Sequence, residues 1–144
     1  MIQRIQTVYL LLSLICAGLL YLFPVWATTA ESIDGGMSEI GAGTHLLLLP
    51  LPILMIVSHL IAVFSYKNRK RQKQFCTGNI LLYVIFLLGS LLLIQLEHHF
   101  FQHFNLFEFR PGVLLLIAGI VFNVLARSGI KKDEALLRSM DRLR

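Results

Sequence analysis

The sequence predicts an all-α integral membrane protein: a four-transmembrane-helix bundle with a C-terminal amphipathic cytoplasmic helix. Three observations carry that expectation. Hydrophobic residues make up 56% of the 144 positions and charged residues only 15%, against about 25% charged in an average soluble domain. The apolar residues are gathered into four long runs. The cations are gathered into the segments between alternate runs. A mean hydropathy of +0.73 excludes a disordered chain, which needs low hydrophobicity and high net charge. The length suits one compact unit without a separate catalytic domain.

A hydrocarbon core about 30 Å thick takes about 20 apolar residues as helix. The expected spans are 8–27, 46–66, 75–96 and 111–126, of which the first has 20 uncharged residues and the last only 16. At 1.5 Å per residue the last reaches about 24 Å. Arg110 and Arg127 border it and can extend toward the headgroups. Many of the residues are β-branched. In lipid, helix nevertheless wins, because an unpaired segment must satisfy every backbone polar group internally. Pro24, Pro50 and Pro52 fall near the ends of runs one and two, where a missing N–H does least damage. Pro111 suits the first turn of the fourth helix. No alternation of the outer-membrane-barrel kind is present.

Orientation follows from charge, because cationic loops stay in the cytoplasm. Arg4, the basic loop 67–74 and the tail 127–144 hold 12 of the 13 Lys and Arg residues. The outer loop 28–45 holds none, and instead carries Glu31, Asp34 and Glu39. Both termini are expected in the cytoplasm. The net +5 then marks a membrane leaflet, and no nucleic-acid partner is expected. An uncleaved first helix is favoured over a signal peptide, because the apolar stretch exceeds the usual 7–15 residues. Cys16 and Cys76 lie at different depths, which argues against a disulfide. The outer loop, with four glycines between Gly35 and Gly43, reads as an exposed, mobile connection. Gly18, Gly89 and Gly119 would permit close helix approach.

In the tail, Leu136, Leu137, Met140 and Leu143 recur at helical spacing. Such a helix can lie on the inner leaflet with Lys131, Lys132, Arg138 and Arg142 on anionic lipid. A protein partner docking through residues 130–144 is the alternative.

Two places hold residue types with chemical potential. On the outer side, Glu97, His99 and His103 follow the third run, and His45 comes level with Glu97 if helices two and three form a hairpin centred near Arg71. Histidines at i, i+4 could share a divalent metal. The competing reading is a set of interfacial histidines in an aromatic belt. Within the membrane, His59 is the one ionisable residue well inside a run. An ionisable group there calls for a functional hypothesis. The same depth matching sets Tyr83 opposite it, so an interhelical hydrogen bond is expected. Asn79, Gln95 and Asn123 read as lying toward the helix ends. No nucleophile–base constellation or phosphate-binding glycine loop is present. The expectation is a protein that is not an enzyme and has no cofactor. It would be a scaffold or regulatory subunit, with a small transporter or channel, or an outer-rim metal-binding protein, as alternatives.

The start, Met1-Ile2-Gln3-Arg4-Ile5-Gln6-Thr7-Val8-Tyr9-Leu10-Leu11-Leu12, and the ending K-D-E-x-L-x-R-S-x-D-R-L-R over Lys132–Arg144 resemble an uncharacterised bacterial family of four-pass membrane proteins, domain of unknown function 4293. The resemblance implies a small inner-membrane protein and brings no functional residue with it. Asp133, Glu134 and Asp141 in that ending suit a role other than a purely cationic anchor.

Overall fold

A computed structural model describes residues 5–28, 38–66, 68–98 and 110–141. The chain is mostly helical. Helices α1 (Ile5–Leu19), α2 (Pro50–Phe64), α3 (Arg69–His98) and α4 (Pro111–Asp141) enclose a common core, each touching the helices before and after it, with α1 closing on α4. Strands β1 (Trp26–Thr28) and β2 (Ser38–Ile40) pair antiparallel, with Trp26 opposite Ile40. Two helices, through Arg69–Leu93 and Pro111–Leu136, are long and apolar enough to cross a membrane.

Helices α1 and α2 are shorter than the runs that contain them. At 15 residues each they reach about 22 Å. In the first run the chain leaves the helix at Leu19 and turns, with Leu22 N and Phe23 N both donating to Leu19 O. Pro24 then forbids continuation, because it lacks a donor and biases the residue before it away from helix. In the second run Pro50 and Pro52 stand in the first turn of α2. The residues before them form turns, with Leu48 N and Leu49 N both bonded to His45 O.

The segment expected as an exposed, mobile outer connection is in part core. Ile40 and Ala42 are fully buried. Val25 N donates to Ile40 O at 2.9 Å. The Trp26 indole N–H donates to Ser90 Oγ at 2.9 Å, fastening the strand pair to α3. Burying a tryptophan with its N–H satisfied is worth more than leaving glycine-rich chain in solvent. The start of α4 is fixed to the same corner by Arg110 N to Val25 O and Gly112 N to Pro24 O, both 3.1 Å. A Cβ on Gly112 would lie 2.8 Å from Pro24 C. Only glycine permits this backbone approach.

The basic stretch expected as a loop is largely helix. Asn68 Oδ1 accepts from Arg71 N at 3.2 Å and caps α3. Arg69, Lys70, Arg71 and Lys73 therefore occupy its first turns. The tail is also not a separate helix: α4 runs without a break from Pro111 to Asp141, about 46 Å. Lys73 Nζ meets Glu134 Oε2 at 3.3 Å, which gives one of the unexpected tail acids a partner.

The buried positions repeat every three or four residues. On α3 they are Gln72, Cys76, Asn79, Tyr83, Phe86 and Ser90; on α4 they are Gly112, Leu116, Gly119, Asn123, Ala126 and Ile130. This is the 3.5-residue repeat of helices packed side by side in a left-handed bundle. The outward positions are apolar as well: Val8, Ile53, Leu88 and Leu114 are all at least half exposed.

Candidate functional site: a polar layer across four helices

One polar residue from each helix enters the middle of this core: Ser13 from α1, His59 from α2, Tyr83 from α3 and Asn123 from α4. All four are fully buried. Each sits on its helix's repeat of inward positions, which turns it toward the core, and the hydrogen bonds among them set them at one level.

Ser13 is the hub. His59 Nδ1 donates to Met55 O, four residues back on its own helix, at 2.7 Å. This leaves Nε2 as the acceptor of a neutral imidazole, and Nε2 faces Ser13 Oγ at 2.9 Å. Asn123 Nδ2 donates to Ser13 Oγ at 2.6 Å and to Gly119 O at 2.9 Å. The Tyr83 hydroxyl donates to the backbone O of Ser13 at 2.8 Å. The Ser13 hydroxyl has three acceptors in reach: His59 Nε2, Gly119 O at 3.1 Å and the Tyr83 hydroxyl oxygen at 3.2 Å. It can donate to the first when the imidazole is neutral. It can turn to the second when the ring is protonated and Nε2 becomes a donor. A rotation of one hydroxyl thus accommodates either state.

Gly119 makes the layer possible. A Cβ there would lie 2.6 Å from the Tyr83 hydroxyl oxygen and still closer to the ring. Without that side chain, Tyr83 lies across α4 and reaches α1. Of the three glycines expected to permit close approach, Gly18 has nothing within 4 Å and Gly89 makes ordinary contact with Leu48. Gly119 alone of the three requires its lack of a side chain.

The expected pairing of His59 with Tyr83 takes a different form. The rings meet edge to face, with centroids 6.1 Å apart, and Ser13 supplies the hydrogen-bonded link between them. Asn123, read from the sequence as near a helix end, is central instead. The misjudgement followed from the run 111–126: α4 continues far beyond it, so Asn123 lies well inside the helix. Ser13 was not singled out because a lone serine in an apolar run is unremarkable. Its signal was register, since Ser13 falls on the same inward repeat as Leu10 and Ala17.

The other candidate residues are placed as follows. Lys131 and Lys132 are exposed on α4. Arg142, His99 and His103 lie outside the described residues, as do the side chains of Arg138 and Glu97. His45 is half-buried in the turn before α2, its N–H bonded to Gly41 O at 3.1 Å. Among the described residues no group of three His, Cys, Asp or Glu is gathered as for a metal ion. Cys16 and Cys76 are free and buried.

Fold and layer together define a class: a small helical-bundle protein with two helices long and apolar enough to cross a membrane and a polar layer enclosed in its core. The chain belongs to the family described as domain of unknown function (DUF4293), whose profile matches residues 2–143. No curated protein and no solved structure matches it.

Proposed function

We propose that the chain is a multi-pass protein of the bacterial inner membrane, that all four helices cross, and that both termini face the cytoplasm. In this reading it is a scaffold or regulatory subunit, without enzymatic activity, that docks through its C-terminal helix. The supporting observation is an inverted distribution of polarity. Leu11 and Ile15, Val57 and Leu60, Ile85 and Leu92, Ile117 and Val121 put exposed apolar surface on every helix, while Ser13, His59, Asn79 and Asn123 are buried. Water favours the reverse arrangement, and exposed apolar surface of this extent marks a lipid or protein environment.

The unbroken α4 supports the docking role. In this reading Lys131 and Lys132, just beyond the apolar run, meet anionic headgroups. The residues after them continue along the helix axis rather than folding away, and Leu136 is 64% exposed. This favours a protein partner for the end of the helix and lipid for its base. Affinity capture from membranes, comparing the full chain with a chain lacking residues 130–144, tests the reading. The expected result is a defined partner lost on truncation while insertion is unchanged. Identical captures from both would overturn it, as would a reporter after Arg144 that proved extracytoplasmic.

A small transporter or channel is the second reading, favoured by the polar layer itself, since ionisable groups within membranes often mark a conduction path. Against it stand Ala17, Met55, Phe86 and Leu116, fully buried on the strand-pair side of the layer. A flux assay in proteoliposomes distinguishes the two.

A further inference from the structure

The half of the core between the layer and the basic end holds polar atoms that no described residue satisfies. Gln6 is 6% exposed, Gln72 1% and Asn79 0%. Among the described residues, Gln6 Oε1, both amide atoms of Gln72, both amide atoms of Asn79 and, one turn before Gln72, Arg69 Nη1 are buried without a hydrogen-bond partner. Asn123 Oδ1, on the layer itself, is in the same condition. Leaving such groups dry is costly, and native cores hold few of them.

These groups are aligned. The Tyr83 hydroxyl on the backbone of Ser13 registers α3 against α1, which run the same way. Seven residues back from Ser13 is Gln6; seven residues back from Tyr83 is Cys76. Gln6 therefore lies between the levels of Asn79 and Gln72, with Gly129 of α4 beside it, the Gln6 Cβ 3.3 Å from where a Gly129 Cβ would stand. Gln72 lies two turns from Asn79 toward the basic end, about 10 Å along the axis. Tyr83, in the layer, is one turn beyond Asn79. Three of the buried neighbours in this half are small, Ala62, Cys76 and Ala126, and two are large, Leu10 and Ile130.

We propose that this half of the bundle binds a file of water molecules, entering at the basic end, held by Gln72, Asn79 and Gln6, and ending at the Ser13–His59–Tyr83–Asn123 layer. The chemistry of the open atoms selects water. The three amides present donors and acceptors together and no net charge, and the one charged group, Arg69, stands at the basic end where the file opens. A cation site would need oxygens alone, and an anion site a concentration of donors. A buried water typically makes about three hydrogen bonds to groups otherwise unsatisfied. The apolar residues beyond the layer close the file, so the His59 imidazole exchanges protons with one end of the molecule only. The inference rests on interior atoms and stands whether or not the C-terminal helix docks a partner.

Water-edited solid-state NMR on the full chain in lipid bilayers, labelled at Asn, Gln, His, Met and Phe, tests it. The expected result is strong magnetisation transfer from water to the side-chain amides of Gln6, Gln72 and Asn79 and to the His59 ring, and several-fold weaker transfer to Met55 and Phe86. In Asn79→Leu the His59 signal should fall several-fold while the spectral fingerprint of the fold persists. Amides as dry as Phe86 would overturn the proposal, and so would equal hydration on both sides of the layer. His59 hydration unchanged in a folded Asn79→Leu variant would overturn the route. If that variant does not fold, the wild-type comparison decides alone.

Discussion

Gly119 shows how much of this molecule hangs on single atoms. Its missing Cβ gives Tyr83 the space to cross α4, and Tyr83 in turn bonds the backbone of Ser13. A methyl group there meets the ring, so the tyrosine must leave its place. Gly119→Ala is expected to destabilise the bundle by about 1–3 kcal/mol, the usual cost of overpacking. Tyr83→Leu removes the obstacle, so the alanine should cost much less in that background. A double-mutant cycle by reversible unfolding in detergent checks this; additive effects would show that the two residues do not meet. Ser13→Ala should be costly for a different reason. It withdraws a partner from both His59 Nε2 and Asn123 Nδ2, and a loss of about 1–3 kcal/mol follows from groups left buried and unpaired. The same unfolding assay measures it, and a change below 0.5 kcal/mol, roughly the scatter of surface substitutions, would count against the hub role.

At the scale of elements, helix ends are set by local chemistry and helix lengths by neighbours. Asn68 caps α3, and four cations follow it in the first two turns. Cations near a helix N-terminus oppose the macrodipole, so the cap and the Lys73–Glu134 pair both offset an unfavourable start. The pair itself is 32% exposed on each side, and such contacts contribute less than about 1 kcal/mol. The cap is the stronger device. Asn68→Ala should cost about 0.5–2 kcal/mol and increase amide hydrogen exchange at Gln72 and Lys73, with no effect near Ser90. Protection unchanged in the first turn would contradict the assignment. The strand pair is held differently, by Trp26 on Ser90 and by backbone bonds from Val25, Arg110 and Gly112. These join segments far apart in sequence, and no local pattern announces them.

Across the whole molecule, the outward faces are apolar and much of the inner seam is polar. A chain built this way should remain with the membrane pellet after alkaline carbonate and enter solution only with detergent. Release by carbonate alone would refute the membrane reading. The same inversion explains which parts were legible beforehand. Runs poor in charge identify helices and their order, because a backbone in lipid has no other way to satisfy itself. The runs could not reveal where α1 stops or that α4 continues. Pro24 acts together with the strand pair, and the tail helix is supported by α3. His59 and Tyr83 were recognisable because ionisable and phenolic groups are conspicuous in apolar runs. Ser13 was not, and Gly119 could not be told from Gly18 and Gly89, since their importance comes from what crosses the space beside them.

The amino-acid sequence by itself determined the helical class, the order of the helices, the separation of basic from acidic segments and the family, because composition and periodicity act along the chain. Only the tertiary structure decided that three polar residues meet on one serine, that Ile40 belongs to the core and that the tail is one helix with α4. Those facts depend on distances between residues as many as 110 positions apart, and such distances are set by packing.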